Sequence, residues 1–316
     1  MTHHIVLECR NVSHRFGAKA VLHDIDLKII RGEIVALVGP SGCGKSTLLR
    51  AIVGTHPPEQ GQVYIWESET AQGQAVSGPG RDRGMVYQHY ALFPFLTARE
   101  NVAIGPMLDQ TGIAFRFFRY RRWRQLRKTH LAQADALLET LKLADAGHLY
   151  PHEMSGGMRQ RVAIAQALIM KPAILLLDEP FGALDEATRE ELQRMLLNLY
   201  AGNSAAKAAG KEPPYTILIV THELNEAIYV GDRIVALSQY WDWQGEGFPH
   251  APGATVVYDR VSPVFRPDDE RDYKAFLQQR KSIRGVAFEA HPIQDRHENV
   301  RFWEEIAAGK GMGVLQ

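Results

Sequence analysis

The sequence predicts an α/β fold in which helices cover both faces of a mostly parallel sheet. Three continuous apolar runs, at residues 34–38, 174–177 and 216–220, indicate strands that are buried on both faces. Apolar residues at helical spacing separate these runs, which favours alternating strands and helices. With 316 residues and a 45% hydrophobic composition, the chain can bury one large core and carry an appended segment.

The remaining elements follow the same rules along the chain. Two segments before the first run alternate apolar and polar residues, and we expect both to be edge strands: residues 4–16 and 21–30. A glycine-rich turn and a helix that ends at Gly54 follow the first run, which makes a strand–loop–helix unit. The other expected elements are strands at 61–69 and 83–88, helices from about 97 to 170, and an exposed loop at 201–214. Beyond about residue 240 the pattern is irregular.

Composition argues against several classes of function. Lys plus Arg and Asp plus Glu are balanced at 36 each, so no overall field attracts the chain to DNA or to anionic lipid. The two cysteines, Cys9 and Cys43, are too few for a zinc cluster and favour a reducing compartment. No apolar run approaches 18 residues, and the first residues lack the pattern of a signal peptide. We therefore expect any membrane role to depend on a partner.

Residues 39–47, Gly-Pro-Ser-Gly-Cys-Gly-Lys-Ser-Thr, match the phosphate-loop pattern G-x-x-x-x-G-K-[ST] in its strand–loop–helix context. Glycines allow successive backbone N–H groups to converge on phosphate oxygens, and the following helix directs the positive end of its dipole at them. The Lys45 ammonium can reach the β and γ phosphates, and the Ser46 hydroxyl can bind Mg²⁺. The predicted nucleotide contacts in this loop are Gly39, Pro40, Ser41, Gly42, Cys43, Gly44, Lys45, Ser46 and Thr47.

Two acids follow the second buried run, in the sequence Leu-Leu-Leu-Asp-Glu-Pro. Asp178 ends the predicted strand and is placed to hold Mg²⁺, and Glu179 is placed to polarise an attacking water. The alternative is that these acids only cap the next helix. Their occurrence in a chain with a phosphate loop favours the catalytic interpretation.

Four further motifs lie in order along the chain. Gln88 follows the strand at 83–88, and residues 154–161 are Met-Ser-Gly-Gly-Met-Arg-Gln-Arg. Residues 181–185 are Phe-Gly-Ala-Leu-Asp, and residues 221–223 are Thr-His-Glu. With the phosphate loop and the acid pair, these motifs resemble the Q-loop, signature, D-loop and switch histidine of ATP-binding-cassette (ABC) ATPases. Phe16 occupies the position of the aromatic residue that this family packs against adenine.

The resemblance implies a phosphate-loop NTPase fold with a mostly parallel core sheet, an antiparallel β subdomain and an α-helical signature subdomain. It covers residues 4–240 as the nucleotide-binding domain, with the helical subdomain at about 89–170, and leaves 241–316 as a C-terminal extension. Met154 stands where leucine is usual, and its similar volume predicts little effect. An active ATPase that uses ATP and Mg²⁺ is therefore expected.

The same resemblance assigns roles to the remaining site residues. Gln88 would sense Mg²⁺ and the attacking water, and His222 would contact the γ-phosphate. Ser155, Gly156 and Gly157 open a helix whose N-terminus suits an anion. In the family geometry this anion is the ATP held by a second copy of the chain, packed head to tail.

Three classes of ABC protein compete: an importer subunit, half of an exporter, and a non-transport ATPase of repair or translation. The sequence contains neither a fused membrane domain nor a long coiled coil nor a second cassette, which favours the importer. An importer subunit implies two transmembrane permease subunits, an extracytoplasmic solute-binding protein and a peripheral position on the cytoplasmic face of the membrane, with no nucleic acid expected. The residues of the motifs most resemble those of the nitrate/sulfonate/taurine group of importers, although the ATPase never contacts the cargo.

The sequence leaves more than one interpretation open for three segments. The aromatic segment 89–102 is either the surface that receives a permease coupling helix or ordinary core. The segment 115–128 mixes aromatics with six arginines, and it is a membrane-facing surface, a nucleic-acid patch or a solvated helix. The extension 241–316 is either a regulatory or dimer-stabilising appendage or a tail that lies along the cassette.

Overall fold

The computed structural model describes residues 4–68, 70–88, 91–112, 115, 118–262, 273–289 and 295–308. Its strands are β1 (Ile5–Phe16), β2 (Lys19–Ile30), β3 (Ile34–Val38), β4 (Gln60–Ile65), β5 (Gln74–Ala75), β6 (Arg83–Val86), β7 (Ile174–Asp178), β8 (Ile217–Val220), β9 (Arg233–Ser238) and β10 (Thr255–Val261). Its helices are α1 (Lys45–Val53), α2 (Ala98–Gln110), α3 (Tyr120–Thr140), α4 (Gly156–Leu168), α5 (Glu186–Ala208), α6 (Leu224–Val230), α7 (Tyr273–Ile283) and α8 (Phe302–Ala307).

The strands form one mostly parallel sheet and one antiparallel sheet. The larger sheet has the order β10-β9-β3-β8-β7-β6, and only its edge strand β10 runs antiparallel to its neighbour. The smaller sheet has the order β2-β1-β4-β5 and is antiparallel. All five residues of β3 are buried, as a continuous apolar run in the middle of a covered parallel sheet requires. The predicted fold class is confirmed.

Apolar packing holds the layers together. One cluster joins the larger sheet to the helical segment, with Val102 of α2, Leu138 of α3 and Ile164 of α4 in contact with the core. A second cluster lies between the two sheets and encloses Leu48 of α1. Full burial of such side chains contributes about 1.5–3 kcal/mol each. Within the part of the chain that the structure describes, no helix combines the length and the apolar character that a membrane crossing requires.

Strand β1 is not an edge strand, so the prediction for residues 4–16 is wrong. It lies between β2 and β4, and Cys9 faces Leu27 of β2 on one side and Val63 of β4 on the other. Alternation of apolar and polar residues marks a strand with one covered face, whatever its position in an antiparallel sheet. The pattern therefore identified the strand correctly and its position incorrectly.

The loop predicted at 201–214 is also partly wrong, because α5 continues to Ala208. The buried Asn203 explains the extra helical length. Its amide nitrogen donates to the carbonyl oxygens of Gly32 and Tyr215, and its oxygen accepts from the Tyr215 backbone N–H at 3.0 Å. A polar residue that pattern analysis assigns to a loop thus ties the end of a helix to the core.

The described parts of the C-terminal extension lie along the cassette. The irregular region contains the strand β10, which pairs with β9, and a buried Trp241 whose indole N–H donates to the carbonyl oxygen of Gly253 at 3.0 Å. The extension also contains the helix α7, which begins at Tyr273. The predicted boundary at residue 240 therefore does not coincide with a gap in the packing.

Candidate functional site

The predicted site residues follow the carboxyl ends of parallel strands. The phosphate loop follows β3, Asp178 ends β7, and the Thr-His-Glu motif follows β8. Gln88 lies two residues beyond β6. Because these strands are parallel members of one sheet, their carboxyl ends meet at the same edge, where ligands of open α/β sheets bind.

The phosphate loop has the backbone that its glycines predict. Gly42 and Gly44 have φ values of 79° and 99°, and Gly44 is the residue that precedes α1. A Cβ on Gly44 would lie 2.7 Å from Leu22 Cδ2, because β2 of the smaller sheet packs against the start of the helix. Only glycine therefore combines this φ with this close approach.

The Lys45 side chain folds back over the loop. Its Nζ donates to the carbonyl oxygens of Gly39 at 2.7 Å and of Pro40 at 3.1 Å, and the side chain is nearly buried. The ammonium is therefore held inside the loop, where it would meet phosphate oxygens. Cys43 is buried beside it, and burial raises the pKa of the thiol, so Cys43 acts as packing and not as a nucleophile.

The rest of the loop presents polar groups outward. Ser41, Gly42 and Ser46 are exposed, and Pro40 and Thr47 are half-buried. The Ser46 hydroxyl is thus available at the first turn of α1, as the predicted Mg²⁺ contact requires. Asp178 is the second predicted metal ligand.

Asp178 is a half-buried acid whose charge is incompletely compensated. Burial raises its pKa, Glu179 raises it further, and the cations Arg50 and Lys45 of α1 lower it. This influence of α1 places the carboxylate near the phosphate loop. The donor set of a hydroxyl and a carboxylate consists of the oxygen ligands that Mg²⁺ prefers, and a divalent cation would offset the charge of Asp178. The residues present therefore fit the predicted metal, which Ser46 and Asp178 would hold.

Two predicted residues converge on the carboxylate of a third, Glu179. The Gln88 amide Nε2 donates to Glu179 Oε2 at 3.5 Å, and His222 Nδ1 lies 3.1 Å from Glu179 Oε1. The Glu179 backbone has φ 46°, an unusual conformation for a residue other than glycine, and its N–H donates to the Val220 carbonyl oxygen at 2.8 Å. Residues from three separate strand ends thus position a single acid at the edge of the sheet.

Phe16 ends β1 in the smaller sheet, and 48% of it is exposed. Its ring makes an edge contact with His14, with centroids 4.7 Å apart. The same sheet contacts the phosphate loop through Leu22, as described for Gly44. An exposed aromatic face on this sheet is compatible with the predicted stacking on a base.

The signature residues open α4 in the helical segment. Ser155 caps the helix, and its Oγ accepts from the Met158 backbone N–H at 3.3 Å. Gly156 and Gly157 are the first helical residues, and a Cβ on Gly157 would collide with Thr188 Cγ2. The helix N-terminus is therefore packed against α5 while Ser155 remains exposed.

Two residues that pattern analysis missed organise this region. Thr188 donates both its backbone N–H and its hydroxyl to the Asp185 carboxylate, at 3.0 and 2.7 Å, and the bond from its N–H lowers the pKa of Asp185. An Asp followed three residues later by Thr at a helix start is a recognisable capping pattern, so this pair was open to prediction. Asn101 is the second residue that pattern analysis missed, and no local sequence pattern indicated its role.

The fully buried Asn101 holds the aromatic segment in place. Its amide nitrogen donates to the carbonyl oxygens of Phe93, Leu96 and Thr97, and its oxygen accepts from the Phe93 backbone N–H at 2.7 Å. Phe93 and Phe95 remain exposed, at 39% and 71%. The core interpretation therefore fails for these two rings, while His89 and Tyr90 of the same predicted surface lie outside the described residues.

Known proteins resemble this chain in sequence and in fold. The family described as ABC transporter matches residues 22–182. The nitrate import ATP-binding protein NrtD of Synechococcus elongatus is 38% identical over 251 residues, which cover 79% of this chain and 77% of NrtD. The spermidine/putrescine import ATP-binding protein PotA of Chromobacterium violaceum is 42% identical, with 74% of this chain and 57% of PotA covered.

A third relative is the sulfate/thiosulfate import ATP-binding protein CysA of Pseudomonas aeruginosa, 42% identical over 74% of this chain and 64% of CysA. The chain thus spans less than two thirds of PotA and CysA. A solved dimeric ATP-binding cassette in a post-hydrolysis state, bound to ADP and Pi, is 29% identical with a TM-score of 0.58. That match covers 82% of this chain and 100% of the cassette.

Proposed function

Because this chain belongs to the ABC transporter family, we propose that it binds and hydrolyses ATP with Mg²⁺ and thereby energises the import of a small solute. The observation that carries the proposal is the convergence of Gln88 and His222 on the Glu179 carboxylate at the sheet edge that bears the phosphate loop. An ordinary helix cap would not require side chains from three strand ends.

The residues of this edge divide the chemistry among them. The phosphate-loop amides and the Lys45 ammonium bind the phosphates, and Phe16 stacks on the base. Mg²⁺, held by Ser46 and Asp178, would supply positive charge to the phosphate oxygens. The Glu179 carboxylate accepts a proton from the attacking water, and the adjacent His222 contributes a hydrogen bond to the γ-phosphate. Gln88 orients that water and senses whether Mg²⁺ is bound.

A second copy of the chain completes the site. Ser155, Gly156 and Gly157 form a helix N-terminus suited to an anion, and the exposed Ser155 bonds within its own helix in the single chain. The solved cassette with which this chain aligns is dimeric, which supports a pair of chains, and we propose that the two copies pack head to tail. In that arrangement ATP favours the closed dimer and hydrolysis releases it.

Import requires partners that span the membrane. NrtD, PotA and CysA are named as import ATP-binding proteins, and we extend import to this chain with two permease subunits, an extracytoplasmic solute-binding protein and a peripheral position on the cytoplasmic membrane face. The exposed Phe93 and Phe95 suit the apolar face of a permease coupling helix. For the cargo we propose a small solute of the nitrate/sulfonate/taurine class.

The test of the catalytic proposal is Mg-ATP hydrolysis by the wild type and by Glu179→Gln. Loss of the general base should lower kcat by at least ~100-fold. The variant should still bind ATP and form a dimer by size-exclusion chromatography when ATP is present. Glu139→Gln, an exposed acid at the end of α3, is the matched control and should hydrolyse ATP normally. Equal activity of Glu179→Gln and wild type would refute the assignment of the base.

The cargo is tested with the assembled transporter. The chain is reconstituted with its permeases and binding protein, and ATP hydrolysis is measured with nitrate, taurine, sulfate or putrescine. Stimulation by nitrate or taurine alone supports the proposed class. Stimulation by putrescine alone would replace it with a cationic cargo while leaving the ATPase assignment intact.

A further inference from the structure

The start of α3 carries a concentrated positive charge in a chain that is neutral overall. Residues 110–134 contain six arginines and one lysine and no aspartate or glutamate, whereas the whole chain has 36 basic and 36 acidic residues. A solvated helix of ordinary composition interleaves both signs. The segregation therefore indicates an anionic partner.

Three of these cations share one face of the helix. Arg121, Arg124 and Lys128 stand at positions i, i+3 and i+7, so they lie one above another on consecutive turns. All three are exposed. Among the described residues, none of the three forms an ion pair, in contrast to Arg127, which pairs with Glu100 at 2.9 Å. We name Arg121, Arg124 and Lys128 the basic face.

Exposed aromatics lie at the same end of the helix. Phe118 is 86% exposed and Tyr120 is 55% exposed, and the Tyr120 ring centroid lies 5.6 Å from that of Trp123. Exposure of rings to water is unfavourable, so clustered exposed aromatics mark surfaces that are covered in use. Aromatic side chains beside Arg and Lys are typical of segments that lie in the membrane–water interface.

The fold places this end of α3 near the aromatic segment that we propose as the permease contact. Arg127, one turn beyond Arg124, bonds to Glu100 at the start of α2. The other Glu100 oxygen accepts from the Thr97 N–H and hydroxyl, which closes the loop that begins at Phe93. The basic face and the exposed Phe93 are thus joined through the first turn of α2.

We propose that the basic face binds anionic phospholipid headgroups, with Phe118 and Tyr120 entering the interface beside it. This inference rests on the proposed function, because a permease docked on Phe93 and Phe95 would bring this side of the chain to the bilayer. A single convex helix face offers no groove for single-stranded nucleic acid, which binds along a channel with stacking platforms. The flat, negatively charged surface of a bilayer fits the geometry better.

The experiment measures co-sedimentation of the purified full chain with vesicles of phosphatidylcholine, with and without phosphatidylglycerol. The probe is phosphatidylglycerol itself. Each basic residue near an anionic surface raises the partition coefficient about fivefold, so Arg121→Gln/Arg124→Gln/Lys128→Gln should bind ~100-fold more weakly. The matched control, Lys142→Gln/Arg194→Gln/Lys211→Gln, removes the same charge from exposed positions elsewhere and should bind as the wild type does. Wild-type binding should also be abolished in ~1 M salt.

Several outcomes would overturn the proposal. Equal binding to neutral vesicles, an equal loss in both triple variants, or no binding of the wild type would each exclude a lipid-specific basic face. Tight binding of a labelled oligoribonucleotide without vesicle binding would identify a nucleic-acid surface instead. ATP hydrolysis is measured on the same samples, because vesicle binding by a chain without ATPase activity would contradict the proposed function and not this inference.

Discussion

Removal of the Phe302 ring should show that the end of the C-terminal extension belongs to the folded cassette. Phe302 of α8 is 1% exposed, and its ring centroid lies 3.6 Å from the guanidinium carbon of the fully buried Arg233. That guanidinium also bonds to both oxygens of Asp259 at 2.6 Å and to the Lys28 carbonyl oxygen. The ring therefore covers a buried arginine–carboxylate pair that joins β10 to β9.

Two contributions determine how much stability the Phe302→Ala variant loses. Phe to Ala in a packed interior costs about 3–5 kcal/mol, and loss of a desolvated cation–π contact costs about 2 kcal/mol. Phe302→Ala should therefore lower the free energy of unfolding by at least ~3 kcal/mol, while Phe302→Leu should lose chiefly the cation–π part. Trp303→Ala is the control, because Trp303 is 38% exposed and its ring centroid is 5.7 Å from Arg233.

The assay is guanidinium chloride unfolding followed by tryptophan fluorescence and by far-UV circular dichroism. A shift in the midpoint at constant slope reports the change in stability. If Phe302→Ala and Trp303→Ala both shift the free energy of unfolding by less than ~1 kcal/mol, Phe302 does not pack as the structure shows. The reasoning about Arg233 would then be refuted as well.

Three further predictions concern other parts of the chain. Gly157→Ala should impair ATP-dependent dimerisation and hydrolysis because its Cβ collides with Thr188 Cγ2, and Thr188→Ser, which deletes that methyl, should restore part of the activity in the double variant. Burial raises the pKa of Glu33 to about 7, so the folded state holds a proton that the unfolded state has released, and stability falls as pH rises from about 4.5 to 7 by about 3 kcal/mol. Glu33→Gln should abolish this loss, so the variant should gain melting temperature relative to the wild type at pH ~8 and not at pH ~4.5. Asn101→Ala should destabilise the protein by at least ~2 kcal/mol because it removes four hydrogen bonds to the backbone of the Phe93 loop, and it should reduce stimulation of the ATPase by permeases.

The sequence predicted the parts of the fold that depend on local chemistry. The five buried residues of β3 and the glycines of the phosphate loop are dictated by burial and by backbone conformation, and both occur as expected. The position of β1 within its sheet and the length of α5 depend on distant partners, such as the bonds from Asn203 to Gly32 and Tyr215, and no local pattern encodes them. Strand β10 was missed for the same reason, because its pairing with β9 and the burial of Trp241 define it.

The candidate site likewise combines features that the local sequence predicts with features that depend on distant partners. Motif spacing predicted that Gln88, Glu179 and His222 belong to one site, but not that the side chains of Gln88 and His222 would contact the Glu179 carboxylate. The left-handed backbone of Glu179 was likewise not predictable, because strained conformations persist only where surrounding structure enforces them. Assignment of the catalytic roles stays a prediction until the Glu179→Gln experiment is done.

A continuous set of contacts joins the exposed aromatic segment to the carboxylate of Glu179. Asn101 fixes the Phe93 loop to α2, α2 packs on α4 through the shared core, and Gly157 at the start of α4 contacts Thr188. Thr188 in turn bonds to Asp185, and only the short D-loop separates Asp185 from Glu179. Each contact is tight, so a displacement of the helical segment cannot be absorbed within it. In an importer subunit, movement of a permease against Phe93 would therefore reach Glu179 through Gly157, and the rescue of Gly157→Ala by Thr188→Ser tests whether the contact between α4 and α5 is as tight as this route requires.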